Sequence, residues 1–141
     1  MRKLIYVCSP YRGAPPHTLA KSDANLAKTK DYCKYVIAHG GIPIAPHLYL
    51  SPLLDDKVKS EREVGMAMGM ELLMLCTELW QFGDTVTAGM VAELDLARRL
   101  CIPVMVIDVP TGGKQKVEVE REIRKYWQDK KAKRAGRANA G

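Results

Sequence analysis

Three short segments of this sequence carry side chains that could do chemistry. Residues 9–13 read Ser-Pro-Tyr-Arg-Gly, and such a loop can offer a hydroxyl, a guanidinium and backbone N–H groups to a phosphate. His47 follows a proline-rich stretch, and Glu93 lies in a segment that opens with Gly83-Asp84. A glutamate at that place is either an ordinary exposed helix former or a catalytic carboxylate that points into a cleft.

Each of these segments comes at the end of an apolar run of strand length. The runs cover residues 4–8, 42–46 and 78–82. Because ligand sites in α/β sheets gather at the carboxyl ends of the strands, we expect the three segments to meet at one edge of a sheet. Each segment also has a plain structural interpretation, since Pro-Tyr-Arg-Gly can be a simple turn and a lone histidine is more often structural than catalytic.

The order of the predicted elements indicates the fold class. Strands and helices alternate as β-α-β-α-β-α-β-α, and a fourth strand over residues 102–109 is apolar throughout, as in parallel strands buried on both faces. The sequence therefore predicts an α/β, Rossmann- or flavodoxin-like three-layer sandwich around a parallel sheet of four to five strands. The predicted helices run from 18 to 39, from 60 to 76 with a capping box at Ser60 and Glu63, from Gly83-Asp84 to 100, and from 117 to 130.

Length and composition favour one globular domain. The chain has 141 residues, of which 47% are hydrophobic and 27% charged. No apolar run approaches the ~20 residues of a membrane span, and the short apolar start at residues 4–7 is expected to be a strand and not a signal peptide. We therefore expect a cytoplasmic protein without a membrane partner.

The four cysteines, Cys8, Cys33, Cys76 and Cys101, do not form the paired spacing of a zinc or thioredoxin site. They are interpreted as reduced, buried thiols of a cytoplasmic protein. No glycine-rich phosphate signature is present, and one histidine with scattered acids is a poor set of metal ligands. We expect no metal and no cofactor.

The net charge of +6 is concentrated near the end of the chain. Between residues 125 and 137, six Lys and Arg side chains stand against a single acid, Asp129. We expect a single domain over residues 1–130 and a basic, disordered tail over residues 131–141. The tail lacks the interleaved aromatic residues of nucleic-acid-binding segments, so nucleic acid is not expected as a partner.

Three longer motifs contain these segments. They are Tyr6-x-x-Ser9-Pro10-Tyr11-Arg12-Gly13, Ile44-Ala45-Pro46-His47 and Gly83-Asp84…Gly89-Met90-x-x-Glu93-x-x-x-Ala97. Together they resemble the nucleoside 2-deoxyribosyltransferase superfamily, which includes the 2'-deoxynucleoside 5'-phosphate N-hydrolases. The similarity covers about residues 3–108 and is greatest to an uncharacterised branch found in phages and bacteria. It implies a small-molecule (deoxy)nucleotide ligand and a homo-oligomer, a dimer or higher, because members commonly complete their sites across subunits.

The resemblance also implies roles for individual residues. Glu93 would be the nucleophile that attacks the anomeric carbon of deoxyribose, and Tyr6 would hold its rotamer. The second acid, which protonates the departing base, would be Glu71 or Asp84. The order of residues 84–89 differs from the family's acidic-Gly-Thr run, and the second carboxylate has no plain match. The predicted substrate-binding residues are Ser9, Pro10, Tyr11, Arg12 and Gly13 around a 5'-phosphate, His47 near the base, and Gly89 with Met90.

Two hypotheses of different classes follow for the function. The first is an enzyme that hydrolyses or transfers the N-glycosidic bond of a (deoxy)nucleotide, a 5'-monophosphate in view of Arg12, with Glu93 as nucleophile. The second is a nucleotide-binding sensor or accessory module on the same fold that does not cut its ligand.

Overall fold

The computed structural model describes residues 1–12, 15–108 and 114–140. Within this part of the chain, four parallel strands form one sheet in the order β2-β1-β3-β4. Their register pairs Tyr6 with Ile44 on one side and with Leu79 on the other. The strands are β1, Leu4–Cys8; β2, Ile42–Ile44; β3, Glu78–Gln81; and β4, Val104–Val106.

Helices cover both faces of this sheet. The helices α1 and α5 lie beside each other, whereas α3 and α4 pack together on the opposite face. This arrangement confirms the predicted α/β three-layer sandwich with a four-stranded parallel sheet. The helices are α1, Leu19–Ala38; α2, His47–Leu50; α3, Lys59–Met74; α4, Ala88–Arg99; and α5, Lys114–Ala140.

The inner strand β1 divides the core into two layers because successive side chains of a strand point to opposite faces. Tyr6 and Cys8 pack into the layer formed with α3 and α4. Ile5 and Val7 pack into the layer formed with α1. All four side chains are at most 2% exposed, so β1 is held from both sides.

The fourth strand is shorter and more exposed than predicted. It spans residues 104–106 instead of 102–109, and it is the edge strand of the described sheet, with Val106 76% exposed. The prediction of a strand buried on both faces is therefore wrong for β4, and residue 109 lies outside the described residues. Cys101, just before it, is exposed, so only the other three cysteines are the buried thiols that we expected.

Two predictions about helix starts also differ from the structure. The helix α3 begins at Lys59 behind Val58, which makes no side-chain cap, so the predicted capping box at Ser60 and Glu63 is wrong because Ser60 already lies in the first turn. The helix α4 begins at Ala88 and not at Gly83-Asp84, and residues 47–50 form the short α2. A cap is present instead at α4, where Oγ1 of Thr87 accepts a hydrogen bond from the backbone N–H of Met90.

The helix α5 extends through Ala140 and so includes residues 131–140, for which the composition predicted disorder. Ala, Lys and Arg are strong helix formers, and this intrinsic preference accounts for the helical backbone. The helix packs against α1. Neither α5 nor any other helix in the described ranges is apolar over a length that could cross a membrane.

We predict that Gly41→Ala lowers the free energy of unfolding by about 1–3 kcal/mol, the usual range for overpacking a core. A Cβ at residue 41 would lie 2.8 Å from Cγ1 of Ile5 and 2.9 Å from Cγ1 of Val36, and both side chains are buried and β-branched. Urea unfolding followed by circular dichroism measures the change. The control is Gly136→Ala, where no atom would lie within 4 Å of the added Cβ. Equal midpoints for the two variants would contradict the prediction.

Candidate active site

Glu93 is buried on the inner face of α4. Met90, Leu94 and Ala97 are buried on the same face, at helical spacing from Glu93. These three side chains pack against the sheet. Glu93 is only 8% exposed. The structure thus excludes the alternative of an exposed helix former.

Two side chains of β1 hydrogen-bond the carboxyl group of Glu93. Tyr6 donates through its hydroxyl and Cys8 through its thiol. The two residues are neighbours on one face of the strand, since they are separated by one residue. Both are almost fully buried, so the carboxyl group meets fixed donors and not bulk water.

These surroundings set the protonation of the three groups. Burial raises the pKa of Glu93 to about 7, and the hydrogen bonds from Cys8 and Tyr6 oppose this rise. Burial, followed by the charge of Glu93, raises the pKa of Tyr6 and the pKa of Cys8 well above their usual values. Near neutral pH the two donors keep their protons, while Glu93 is present in both its protonated and its ionised form.

A cavity of about 100 Å³ leads to Glu93. Four residues that we predicted from the sequence line it together with Glu93, namely Tyr6, Tyr11, His47 and Gly89. The cavity therefore joins the ends of β1, β2 and α2 with the start of α4, as the strand-end argument predicts.

One face of α3 forms the opposite wall of the cavity. Two sets of residues at helical spacing line it: Glu61, Gly65 and Gly69, and Arg62, Met66 and Met70. The helix packs against β1 at Gly69, where a Cβ would lie in van der Waals contact, 3.4 Å from the hydroxyl oxygen of Tyr6.

A second cavity of about 460 Å³ adjoins the first. Arg12 lines it, and Nε of Arg12 forms an ion pair with Oδ2 of Asp56 at 2.7 Å. Asp56 and Glu61 line both cavities. Arg12 is thus placed beside the Glu93 cavity, and Gly13, the next predicted phosphate residue, lies outside the described residues.

Ser9 and Pro10, the first two residues of the loop 9–13, have a structural role. Oγ1 of Thr29 donates to the backbone oxygen of Asn25, so the hydroxyl of Ser9 must donate in the 3.1 Å contact between Ser9 and Thr29. Ser9 is 2% exposed and lines neither cavity. Pro10 packs over Gly83, where a Cβ would lie 3.0 Å from Cδ of Pro10. The structure therefore does not bring Ser9 or Pro10 to the cavities.

His47 forms part of the wall and is held by an aromatic contact. Its ring stacks on Tyr11 with 4.7 Å between the centroids and 15° between the planes. Burial lowers the pKa of His47, although the charge of Asp56 acts in the opposite direction. At neutral pH the ring is uncharged and can offer a donor and an acceptor.

Three further predicted residues lie off the cavity. Glu71 is exposed, because it follows the lining residue Met70 by one position and a helix turns by about 100° at each residue. Asp84 is exposed in the turn after β3, on the side of Tyr32, whose pKa it helps to raise after burial. Met90 is 2% exposed and belongs to the core. Neither candidate for the second acid is therefore near Glu93.

The structure adds to the site several residues that sequence reasoning missed, namely Cys8 behind Glu93 and two acids in the cavity. The sequence predicts Cys8 to be a reduced, buried thiol, with a catalytic thiol as the less favoured alternative, whereas its spacing from Tyr6 places both side chains on one strand face. Asp56 and Glu61 are the carboxylates that share the cavity with Glu93, and the spacing from Glu61 to Gly65 and Gly69 is the signal that could have found this helix face. Within the described ranges, no three His, Cys, Asp or Glu side chains form a group that could hold a metal ion.

Comparison with known proteins places the chain in a family. The model of a family described as a domain of unknown function (DUF7768) matches residues 3–107, so the chain belongs to this family. A search of the curated proteins gives no significant match. Among solved structures, a 2-deoxyribosyltransferase from the psychrotolerant bacterium Bacillus psychrosaccharolyticus is similar, with a TM-score of 0.52, 17% identity and coverage of 77% of each chain. This likeness shows the shared fold.

We predict that burial of Glu93 makes the stability of the protein fall with rising pH. The folded pKa of about 7 exceeds the ordinary value of 4.5, so the contribution is full below pH 4.5 and is lost as the pH rises through 7. Relative to Glu93→Gln, wild type should lose about 3 kcal/mol of unfolding free energy over this range. Urea unfolding at a series of pH values measures it, with Asp95→Asn on the same helix as control. Parallel pH curves for wild type and Glu93→Gln would refute this.

We also predict that loss of either donor raises the pKa of Glu93 further, because each hydrogen bond stabilises the ionised carboxylate. Cys8→Ala and Tyr6→Phe remove one hydrogen-bond donor each, whereas Cys8→Ser keeps a donor at residue 8. NMR titration of the ¹³C-labelled carboxyl carbon of Glu93 measures the pKa. Cys33→Ala, in the other core layer, is the matched control and should titrate as wild type. If the pKa of Glu93 in Cys8→Ala equalled that in wild type, the thiol of Cys8 would not be a donor.

Proposed function

We propose that this member of the DUF7768 family cleaves or transfers the N-glycosidic bond of a (deoxy)nucleotide, with Glu93 as the nucleophile. The observation that supports this most is a buried carboxyl group that receives hydrogen bonds from Tyr6 and Cys8 at the end of a cavity. The fold shared with a 2-deoxyribosyltransferase supports the same class of reaction, glycosyl transfer.

The chemistry follows from the state of Glu93. In its ionised form the carboxylate attacks the anomeric carbon, the C–N bond breaks with its electron pair going to the base, and a covalent glycosyl ester forms. Water or a second base then attacks the same carbon and releases the carboxylate. Fixed hydrogen-bond donors keep the attacking oxygen in place, so little reorganisation is needed when the bond forms.

The departing base needs a proton, and the cavity limits which side chain can give it. Asp56 and Glu61 share the cavity with Glu93, whereas Glu71 and Asp84 do not line it. We propose that the carboxyl group of Glu61, or His47 on the same wall, replaces Glu71 and Asp84 as proton donor, because Asp56 is paired with Arg12. His47 and Tyr11 offer a stacked aromatic wall against which a base can lie.

The proposed substrate is a 5'-monophosphate. Arg12 lines the cavity that adjoins the Glu93 cavity, and a guanidinium group binds phosphate through paired hydrogen bonds. A ligand that spans both cavities would place its sugar near Glu93 and its phosphate near Arg12.

We further propose a cytoplasmic homo-oligomer, a dimer or higher. The helices α3 and α4 and the residue that follows α3 expose apolar side chains that a monomer leaves in water. They include Val64, Met66, Met68, Met74, Leu75 and Val91, each more than 40% exposed.

We predict that wild-type protein releases free base from at least one deoxynucleoside 5'-monophosphate and that Glu93→Gln lowers the rate roughly 10³-fold or more, as loss of a nucleophile does. The test incubates both proteins with a panel of monophosphates and nucleosides and separates free base by chromatography. Asp95→Asn, an exposed acid on the same helix, is the control and should act as wild type.

Two other outcomes have clear meanings. Equal turnover by Glu93→Gln would remove Glu93 as the nucleophile. Thermal stabilisation by nucleotides without any free base would favour the sensor or accessory module, which binds its ligand and does not cut it.

A further inference from the structure

Arg12 and Asp56 form an ion pair at the point where the two cavities meet. Nε of Arg12 lies 2.7 Å from Oδ2 of Asp56, and the two side chains are 31% and 29% exposed. Asp56 lines both cavities, whereas Arg12 lines only the outer one. The pair thus joins the loop after β1 to the loop before α3, beside the path to Glu93.

The Arg12 side of the pair is anchored by its neighbour. Nδ2 of Asn25 donates to the backbone oxygen of Tyr11 at 2.7 Å, and the Tyr11 ring stacks on His47. Asp56 lies in a short turn whose contacts are local, such as the 2.9 Å hydrogen bond from the backbone N–H of Lys57 to Oδ1 of Asp55. Asp56 is therefore the partner that can turn away while Arg12 keeps its place.

An anion that enters the outer cavity must compete with Asp56 for Arg12. The ion pair is half-exposed, and such pairs are weak because water screens them. A phosphate group is a stronger partner for a guanidinium, since it carries more charge and offers several acceptor oxygens. If Asp56 stayed in place, its carboxylate would repel the phosphate. Binding of a phosphorylated ligand is then an exchange of one anion for another on Arg12.

We propose that Asp56 is a specificity-determining residue whose carboxylate occupies Arg12 until the phosphate of the ligand replaces it. The inference rests on the proposed function in taking the ligand to be a sugar phosphate. Asp56 then lowers the affinity for every phosphorylated ligand by the cost of breaking its own ion pair, and it leaves the affinity for an unphosphorylated sugar unchanged. The residue thereby sets how strongly the site prefers a 5'-phosphate to a 5'-hydroxyl.

The test uses 2-deoxyribose 5-phosphate as the probe and 2-deoxyribose as its uncharged counterpart, so it requires neither a particular base nor turnover. Isothermal titration calorimetry on the full chain gives both affinities for wild type and Asp56→Asn. Asp56→Asn should bind the sugar phosphate about fivefold more tightly, the scale of one half-exposed ion pair. Its affinity for 2-deoxyribose should equal that of wild type.

Three variants serve as controls. Asp55→Asn makes the same charge change in the same cavity without an ion pair to Arg12 and keeps a side-chain oxygen for the N–H of Lys57, so it should gain less affinity for the sugar phosphate than Asp56→Asn. Arg12→Gln should bind it more weakly. Adding Asp56→Asn to Arg12→Gln should give no gain, because Asp56 acts through Arg12.

Several results would overturn the proposal. These are an unchanged or weaker affinity in Asp56→Asn, an equal gain in Asp55→Asn, a gain in the Arg12→Gln background, or no binding of the sugar phosphate by any variant. Failure of the proposed function looks different, since no free base would then appear from any nucleotide while the order of sugar phosphate affinities could still be as expected.

Discussion

Burial of one carboxyl group against the inner strand is the constraint on which the rest of the site depends. Glu93 can leave water only because Tyr6 and Cys8 offer hydrogen bonds from a strand that is itself fixed on both faces. Gly69 on α3 lies against the same donor, since a Cβ there would be 3.4 Å from the hydroxyl oxygen of Tyr6, which is van der Waals contact. The glutamate, the two donors and the glycine form one packing unit drawn from three elements.

Much of this arrangement could be predicted from the sequence. Apolar runs of strand length alternate with helical patterns, and these local signals are enough to predict a parallel sheet with the ends of β1, β2 and β3 at one edge. The strand-turn-helix pattern marks Glu93 as a candidate, whereas Tyr6 was named only through the resemblance to the nucleoside 2-deoxyribosyltransferases. The length of β4 was overestimated because an apolar run does not reveal whether the strand has neighbours on both sides.

The features of the site that could not be predicted from the sequence depend on helix register and on contacts between distant segments. Glu71 and Met70 differ by one position, yet one is exposed and the other lines the cavity, and a pattern with an error of one residue cannot separate them. The role of Asp56 depends on a loop meeting Arg12, more than forty residues earlier in the sequence. The hydroxyl of Ser9 could not be assigned either, since its partner Thr29 becomes visible only when α1 is packed.

The cavity is lined by residues of the paired strand β1 and by residues of the segment between α2 and α3, and the two are held differently. Its backbone is paired with β2 and β3, so the hydrogen bonds around Tyr6 and Cys8 open only when the sheet itself comes apart. The segment between α2 and α3 is held by turns and one side-chain ion pair. Substitutions there can accumulate without disturbing the buried centre. A lineage built in this way can diversify the ligands it accepts while one buried carboxyl group stays constant.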